Sequence, residues 1–325
     1  MKACVFGAGA IGGQIAVRLA RGGSEVSVVA RGDHLDAIRA RGLTVRAADG
    51  EWRVPVAASD DPAALGAQDV VVVAVKQPAL AAFARTVAPL LGPDTAVAFV
   101  MNGIPWWYFH RHGGPEEGRR LERLDPGDAV RDAVGPERAI GGVVYSAAEV
   151  VEPGVVKVAN PNGRLILGEP DGRRSPRVEA LAAAIRAGGL NTVVSERIRD
   201  DIWAKLIGNM ASGPLAIAAQ TPLSELYADP AVAAGVRVMA GEMAAVARAL
   251  GASPSIDPDG EVARGLALKH KPSILQDLER GRPMEIEAIY ESPLAMARIA
   301  GVDTPVTDLM VALARLRARA AGLYG

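Results

Sequence analysis

Cysteine is nearly absent from the sequence, because Cys4 is the only one in 325 residues. A single cysteine excludes an internal disulfide framework and any metal or iron–sulfur site built from several cysteines. Cys4 stands in an apolar run, which favours burial as a small packing residue over catalysis. The first residues lead directly into a strand-like segment without the apolar core and cleavage site of a signal peptide. We therefore expect a cytoplasmic protein.

An excess of charge of either sign is also missing. The 36 basic and 37 acidic residues leave a formal net charge of −1, so nucleic acid and anionic membranes are not expected partners. No continuous apolar stretch reaches the roughly 18 residues that cross a bilayer. The chain is 50% hydrophobic and 22% charged, which is typical of a folded protein, and its length predicts two domains. A small molecule is the expected partner.

Lysine is scarce as well, since only six of the 36 basic residues are lysines. Lys205 nevertheless stands in a mostly apolar segment, four residues before Asn209 and therefore on the same helix face. Partial burial would lower the pKa of Lys205 toward neutrality, as a general acid requires. The alternative is a lysine whose amine reaches solvent from a helix edge.

The first part of the chain alternates strand-like and helical patterns. Strand-like runs at 3–6, 25–30, 69–75 and 96–100, with a helix at 11–21, predict an α/β domain with a Rossmann-type doubly wound parallel sheet. A surface connection at 110–138 follows, with a helical turn at 118–124. Runs at 142–146, 155–158 and 164–167 predict antiparallel additions to this sheet. A helix at 176–187 and a strand at 191–194 would complete a domain spanning 1–196.

The remaining chain shows only helical patterns. They lie at 198–211, 230–250, 262–268, 285–300 and 305–320. Pro230 follows Asp229 at one predicted helix start, and Gly251 and Gly301 follow two predicted helix ends. This pattern predicts an all-α C-terminal domain, 197–325, for substrate binding or dimerisation.

Six residues that follow the first strand and open the first helix match a dinucleotide-binding motif, Gly7-Ala8-Gly9-Ala10-Ile11-Gly12. Gly7 would permit the tight turn, Gly9 would let the backbone approach a pyrophosphate, and Gly12 would let the helix pack closely on the strand. The helix N-terminus presents unpaired amides to phosphates. The alternative is a glycine-rich turn without a ligand.

The end of the second strand indicates which cofactor is used. NAD-binding units place a carboxylate there to bind the ribose 2′-hydroxyl, but this strand ends Val28-Val29-Ala30 and Arg31 follows. Because a guanidinium can pair with a 2′-phosphate, Arg31 favours NADPH over NADH. The alternative is an arginine that only keeps the loop soluble, and Asp33 lies nearby.

Two polar residues follow the next strands. Lys76 ends the apolar run at 70–75, and Asn102 follows the run at 96–100, so both are expected at the carboxyl edge where open α/β sheets bind ligands. Each has a structural alternative. Lys76 can simply be a charge leaving the core, and Asn102-Gly103 can be an ordinary turn.

Taken together, these residues resemble the ketopantoate reductase family over essentially the whole chain. The resemblance implies a Rossmann-type domain and a helical domain, with NADPH and a 2-keto acid meeting between them. A homodimer is compatible with the apolar C-terminal helices. The features that carry the resemblance are Gly7-Ala8-Gly9-Ala10-Ile11-Gly12, Arg31, Lys76, Asn102-Gly103, Lys205-Leu206 with Asn209, Ser273-Ile274-Leu275-Gln276-Asp277 and Glu285-Ile286.

The resemblance also implies roles for individual residues. Lys205 would be the general acid, and Glu285 would engage a substrate hydroxyl or the lysine. Asn209, Ser273 and His270 would contact the substrate, and Asn102 would lie beside the nicotinamide ribose. From pattern alone, purely structural roles remain open for three of them: Ser273 as a helix N-cap, Glu285 as a solvated first-turn carboxylate and His270 as a structural histidine.

The chain departs from the family pattern in two places. Gly213 and His270 stand where many members have asparagine, and the segment 104–110 collects four of the 13 aromatic residues. We expect this segment either to shape the site for a bulkier 2-keto acid or to pack under the 110–138 connection or at a dimer interface. Alternative functions are a dehydrogenase for another 2-hydroxy acid or an opine-like substrate, and a non-catalytic NADP(H)-binding regulator.

Overall fold

The computed structural model describes residues 1–160, 162–268 and 271–324. The chain divides into two compact units. The first consists of Met1–Met101 with Pro105–Ile198, and the second of Asn102–Ile104 with Arg199–Gly325. The loop Asn102–Ile104 thus groups with the helical residues although the chain on either side of it belongs to the first unit.

Within the described residues, the first unit contains twelve strands and helices α1 to α5. The strands are β1 (Lys2–Phe6), β2 (Glu25–Val29), β3 (Leu43–Ala47), β4 (Gly50–Val54), β5 (Ala57–Ser59), β6 (Gln68–Val73), β7 (Leu91–Val100), β8 (Ala139–Tyr145), β9 (Ala148–Glu152), β10 (Val155–Val158), β11 (Arg164–Gly168) and β12 (Asn191–Val194). The helices are α1 (Ala10–Arg21), α2 (Gly32–Arg41), α3 (Leu80–Thr86), α4 (Ala129–Val134) and α5 (Pro176–Ala187).

Eight of these strands form one sheet in the order β12-β11-β8-β7-β6-β1-β2-β5. The six strands from β8 to β5 run parallel, as the doubly wound prediction requires. The strand β1 pairs with β2 on one side and with β6 on the other, so the strand order reverses at β1. Ligands of such sheets bind beyond the carboxyl ends of the strands at this reversal.

The predicted antiparallel additions are only partly confirmed. The run at 164–167 lies in β11, which is antiparallel to β8. The run at 142–146 falls largely in β8, which is parallel to β7, so that prediction was wrong. The run at 155–158 is β10, which leaves the main sheet and joins a second sheet in the order β4-β3-β10-β9. A short strand-like run in the sequence does not indicate which strand it pairs with, and β3, the partner of β10, lies more than 100 residues away in sequence.

Helix α1 lies against both sheets and buries Ile15, Val17 and Leu19 completely. A Cβ at Gly13 would lie 2.8 Å from Val156 of the second sheet, so the helix approaches that sheet closely. Cys4 in β1 is buried, as predicted, and burial raises its pKa to about 11. A thiol of this kind is un-ionised at neutral pH and serves packing.

The connection after β7 differs from its prediction. Within residues 118–124 a single turn forms at the end, where the Leu124 and Asp125 amides donate to the Leu121 carbonyl at 2.8 and 3.0 Å. The helix of this connection is α4, whose Val130 and Arg131 amides donate to Asp125 at 2.7 and 2.9 Å. The aromatic side chains from Trp106 to Phe109 are at most 5% exposed, and Trp106 meets Phe99 edge to face at 5.5 Å. The structure therefore shows that these aromatic side chains pack inside the first unit and are not exposed at a binding site.

The second unit is helical. Its helices are α6 (Ile198–Ala219, which starts in the first unit), α7 (Leu223–Leu226), α8 (Pro230–Ala249), α9 (Pro258–Ala267), α10 (Ser273–Glu279), α11 (Ser292–Ile299) and α12 (Pro305–Ala320). A π-helical segment, Glu287–Glu291, precedes α11. Helix α6 runs eight residues beyond its predicted end, through Pro214, because buried residues such as Ala216 and Ile217 hold the last turns in the core.

Helix α8 is the one described helix that is long and apolar enough to cross a membrane by length and composition. It contains Arg237, Glu242 and Arg248, and it buries one face, including Val236, Met239 and Met243, against other helices. A core helix of a globular protein can have the same length and composition, so these two properties by themselves do not identify a membrane-spanning helix.

Candidate active site

The glycine motif forms a tight turn at the carboxyl end of β1. Gly7 has φ +97°, which favours glycine, and a Cβ at Gly12 would lie 1.9 Å from the Gly7 carbonyl oxygen. A Cβ at Gly9, in contrast, would meet no atom within 4 Å. No described side chain caps the N-terminus of α1. Open space above Gly9 and uncapped amides are the features that a bound pyrophosphate needs, so these residues fit a dinucleotide.

Two of the predicted cationic residues lie at the same sheet edge. The amides of Gly7 and Ala8 both donate to Val29 at the end of β2, and Arg31 follows two residues later. On the other side of β1, the Val75 side chain lies next to Gly7, and Lys76 comes next in the chain. Both cations are exposed. The Arg31 guanidinium forms no hydrogen bond or ion pair with another described residue, which leaves it available to an anionic ligand.

A histidine that sequence reasoning missed supports the glycine turn. His34 Nδ1 accepts a hydrogen bond from the Gly154 amide at 3.0 Å, so the proton of the neutral ring lies on Nε2, which donates to the Ala8 carbonyl at 2.7 Å. Helix α2 thereby ties the second residue of the glycine motif to the turn between β9 and β10. Only its position three residues after Arg31 could have drawn attention to it.

In the second unit, Lys205 and Asn102 are in direct contact. The Lys205 ammonium donates a hydrogen bond of 2.7 Å to Asn102 Oδ1. Asn102 is held because the next two residues pack on the π-helical segment: the Ile104 amide donates to the Ala288 carbonyl at 3.2 Å, and a Cβ at Gly103 would lie 2.2 Å from the same oxygen. The structure thus places Asn102 against the proposed general acid. Its predicted contact with the nicotinamide ribose stays a prediction.

The surroundings of Lys205 change its acidity. Burial lowers the pKa of Lys205 to about 8, while the negative charge of Glu285 opposes part of this effect. Glu285 is only 8% exposed and precedes the π-helical segment, so the solvated first-turn alternative was wrong. A lysine with a pKa near 8 is protonated at neutral pH and can still give up its proton, which is the property of a general acid.

The remaining candidates are placed differently. Asn209 lies one turn beyond Lys205 on α6, is half-buried, and forms no hydrogen bond with another described residue. Ser273 is exposed and begins α10, whose N-cap is Pro272, so Ser273 is not the cap. It also forms no hydrogen bond with another described residue. His270 lies outside the described residues.

Comparisons with known proteins decide the family. The family model "Ketopantoate reductase PanE/ApbA" matches residues 3–172, and the model of its C-terminal part matches residues 197–318. The sequence is 44% identical over 326 residues to a 2-dehydropantoate 2-reductase from Mesorhizobium japonicum, and the alignment covers 100% of both chains. The chain belongs to the ketopantoate reductase family.

Solved structures agree with this assignment. A protein from Ralstonia solanacearum whose structure is described as that of a ketopantoate reductase superposes with a TM-score of 0.92 at 39% identity, covering 99% of each chain. A 2-dehydropantoate 2-reductase from Methylococcus capsulatus superposes with a TM-score of 0.85 at 28% identity, covering 99% of this chain and 98% of that one. The Rossmann-type sheet and the helical C-terminal region of this chain are those of ketopantoate reductases.

Proposed function

We propose that this chain is an NADPH-dependent 2-dehydropantoate 2-reductase, which reduces ketopantoate to pantoate. Lys205 is the observation that carries the proposal: a desolvated ammonium, held by Asn102 at 2.7 Å and influenced by Glu285, is the group a carbonyl reductase needs. Membership of the ketopantoate reductase family supports the substrate and the cofactor.

The cofactor would be held by the first unit. Backbone amides of Gly7 to Gly12 would bind the pyrophosphate, Arg31 would pair with the 2′-phosphate, and Lys76 would add a second cation at the same edge. When bound, NADPH supplies the hydride that reaches C2 of the keto acid.

The proton comes from the second unit. Lys205 Nζ would donate a proton to the carbonyl oxygen as the C2–H bond forms, leaving a neutral amine that regains a proton from solvent. The pair of electrons of the C=O bond thus ends on the new hydroxyl oxygen. Glu285, Asn209 and Ser273 would bind the polar groups of the substrate, and we retain His270 in this set as a proposal from sequence.

Enzyme assays on the purified protein test this function. NADPH oxidation followed at 340 nm should depend on ketopantoate, with a higher kcat/KM than for aromatic or longer 2-keto acids. A clear preference for a bulkier acid would overturn the substrate assignment. The burial of Trp106 to Phe109 supports ketopantoate as the substrate, because side chains packed within the first unit are not available to bind a bulkier acid.

We also propose that the enzyme is a cytoplasmic homodimer. The single buried cysteine suits a reducing compartment. Leu309, Leu313 and Leu316 lie on one face of α12 and are 61%, 45% and 58% exposed, which is unusual for leucine in a helix that stays in contact with water. Sedimentation of the wild type against Leu313→Glu would show a dimer and its loss.

A further inference from the structure

Position 213 of α6 leaves room for a tyrosine from another element. Lys205, Asn209 and Gly213 are spaced by four residues and so share one helix face. A Cβ at Gly213 would lie 1.9 Å from the hydroxyl oxygen of Tyr290. Any side chain at 213 would therefore displace the phenol. The hydroxyl of Tyr290 reaches the backbone of α6 two turns beyond Lys205.

The π-helical segment sets the position of Tyr290. This segment, Glu287–Glu291, begins two residues after Glu285, and Tyr290 within it is 1% exposed. The same segment receives the Ile104 amide at Ala288, next to the loop that carries Asn102. Single π-helical turns recur at functional sites because they rotate side chains out of the regular helical register. One local distortion here orients Tyr290 and supports the partner of Lys205.

The Tyr290 hydroxyl is a hydrogen-bond donor for which the described part of the chain offers no acceptor. It forms no hydrogen bond with another described residue, which is uncommon for a buried phenol. Burial, with the charge of Glu285 as the second cause, raises the pKa of Tyr290 well above its usual range, so the phenol keeps its proton. Glu285, in contrast, can only accept hydrogen bonds when ionised. The charge of Glu285 acts on both Tyr290 and Lys205, so a neutral donor and an anionic acceptor are close to the proposed proton donor.

We propose that Tyr290 determines specificity for a 2-keto acid that carries a hydroxyl group. The substrate hydroxyl donates a hydrogen bond to the Glu285 carboxylate and accepts one from the Tyr290 hydroxyl. This inference rests on the proposed function, since ketopantoate carries such a hydroxyl on C4. A substrate without it leaves the buried Tyr290 hydroxyl without an acceptor, which is how a polar site rejects an analogue that lacks a hydroxyl.

The test compares ketopantoate with 3,3-dimethyl-2-oxobutanoate, which has a methyl group in place of the hydroxymethyl group. Tyr290→Phe keeps the ring and removes only the hydroxyl. We expect kcat/KM for ketopantoate to fall about tenfold or more, and kcat/KM for the methyl analogue to stay within about twofold of the wild type. An equal fall for both substrates, or no fall for ketopantoate, would overturn the proposal.

Two further variants separate this effect from a folding defect. Tyr227→Phe is the matched control, because Tyr227 is another buried phenol of the second unit and is bonded to Ser212. It should leave the ratio of the two kcat/KM values unchanged. Gly213→Ala should lower kcat/KM for ketopantoate more when it is introduced into the wild type than when it is introduced into Tyr290→Phe. The reason is that part of its effect is displacement of the Tyr290 hydroxyl, which the second background lacks. Additive effects in this cycle would contradict the proposed contact.

Failure of this inference is distinguishable from failure of the proposed function. A wild-type enzyme that does not reduce ketopantoate contradicts the function. A wild type that does reduce it, with Tyr290→Phe unchanged in its preference, contradicts only the role of Tyr290.

Discussion

The Lys205 ammonium donates a 2.7 Å hydrogen bond to Asn102 Oδ1. This contact orients one of the three N–H donors of an ammonium that lies at the end of four rotatable bonds. An amide partner orients the ammonium without adding a charge, so the desolvation that lowers the pKa of Lys205 to about 8 is only partly offset, by Glu285.

Replacing the partner should separate orientation from charge. Asn102→Ala removes the acceptor, and we expect kcat to fall about tenfold with the NADPH dissociation constant little changed. Asn102→Asp adds a negative charge next to the ammonium, which should move the alkaline limb of the kcat profile to higher pH. Steady-state kinetics between pH 6 and about 10 measure both, with Asn191→Ala, an exposed strand residue, as control. An unchanged kcat in Asn102→Ala would contradict the positioning role.

Lys205→Ala removes the proposed proton donor. We expect kcat to fall by about 10² to 10⁴, because that is the usual contribution of a positioned general acid. NADPH binding, followed by fluorescence titration, should be nearly unaffected. Lys157→Ala, which removes an exposed lysine from β10, is the control. Unaltered turnover in Lys205→Ala would contradict the role of Lys205 as proton donor, whereas a wild type that binds NADPH but reduces no 2-keto acid would favour the non-catalytic regulator.

The pH dependence of reduction follows from the lowered pKa of Lys205. The donor is protonated below about pH 8 and loses its proton above it, so kcat/KM should be level at neutral pH and fall as the pH rises through about 8. Because the charge of Glu285 raises the pKa of Lys205, Glu285→Gln should move this limb to lower pH. A limb that stays in place or moves upward would show that another group titrates.

Arg31→Ala tests the preference for NADPH. We expect the dissociation constant for NADPH to rise by about tenfold or more, since a charge-assisted contact with the 2′-phosphate is lost, and that for NADH to change little. Arg39→Ala is the control, because Arg39 lies on the helix that follows Arg31 and its guanidinium donates a hydrogen bond to the Ala58 carbonyl. Equal weakening of both cofactors would remove the argument for a phosphate contact.

His34→Ala tests the support of the glycine turn. The variant loses the donor to the Ala8 carbonyl and the acceptor of the Gly154 amide, so we expect the NADPH dissociation constant to rise several-fold. The free energy of unfolding should fall by about 1 to 3 kcal/mol, as for a lost part-buried hydrogen-bond pair. Denaturant titration and cofactor titration measure the two effects. A loss of stability with unchanged cofactor affinity would restrict His34 to a structural role.

The residues proposed to hold the cofactor were predicted from local patterns. Gly7 and Gly12 are needed by the backbone of one short turn, so residues close together in the chain reveal them. Arg31 follows β2, which pairs directly with β1 in the sheet. Lys205 was predictable because an ammonium in an apolar helix is conspicuous. Packing between distant segments was not predictable: helix α6 continues through Pro214, and β10 pairs with β3 instead of extending the main sheet.

By itself, the sequence determined the two-part architecture, the dinucleotide turn and the identity of the proposed proton donor, because each depends on periodicity or on residues close together in the chain. Only the tertiary structure decided which groups surround that donor. Asn102 reaches Lys205 across 103 positions, and Tyr290 faces Gly213 across 77. Contacts of this kind arise from how helices and loops pack, and the scarcity of lysine that made Lys205 conspicuous does not reveal them.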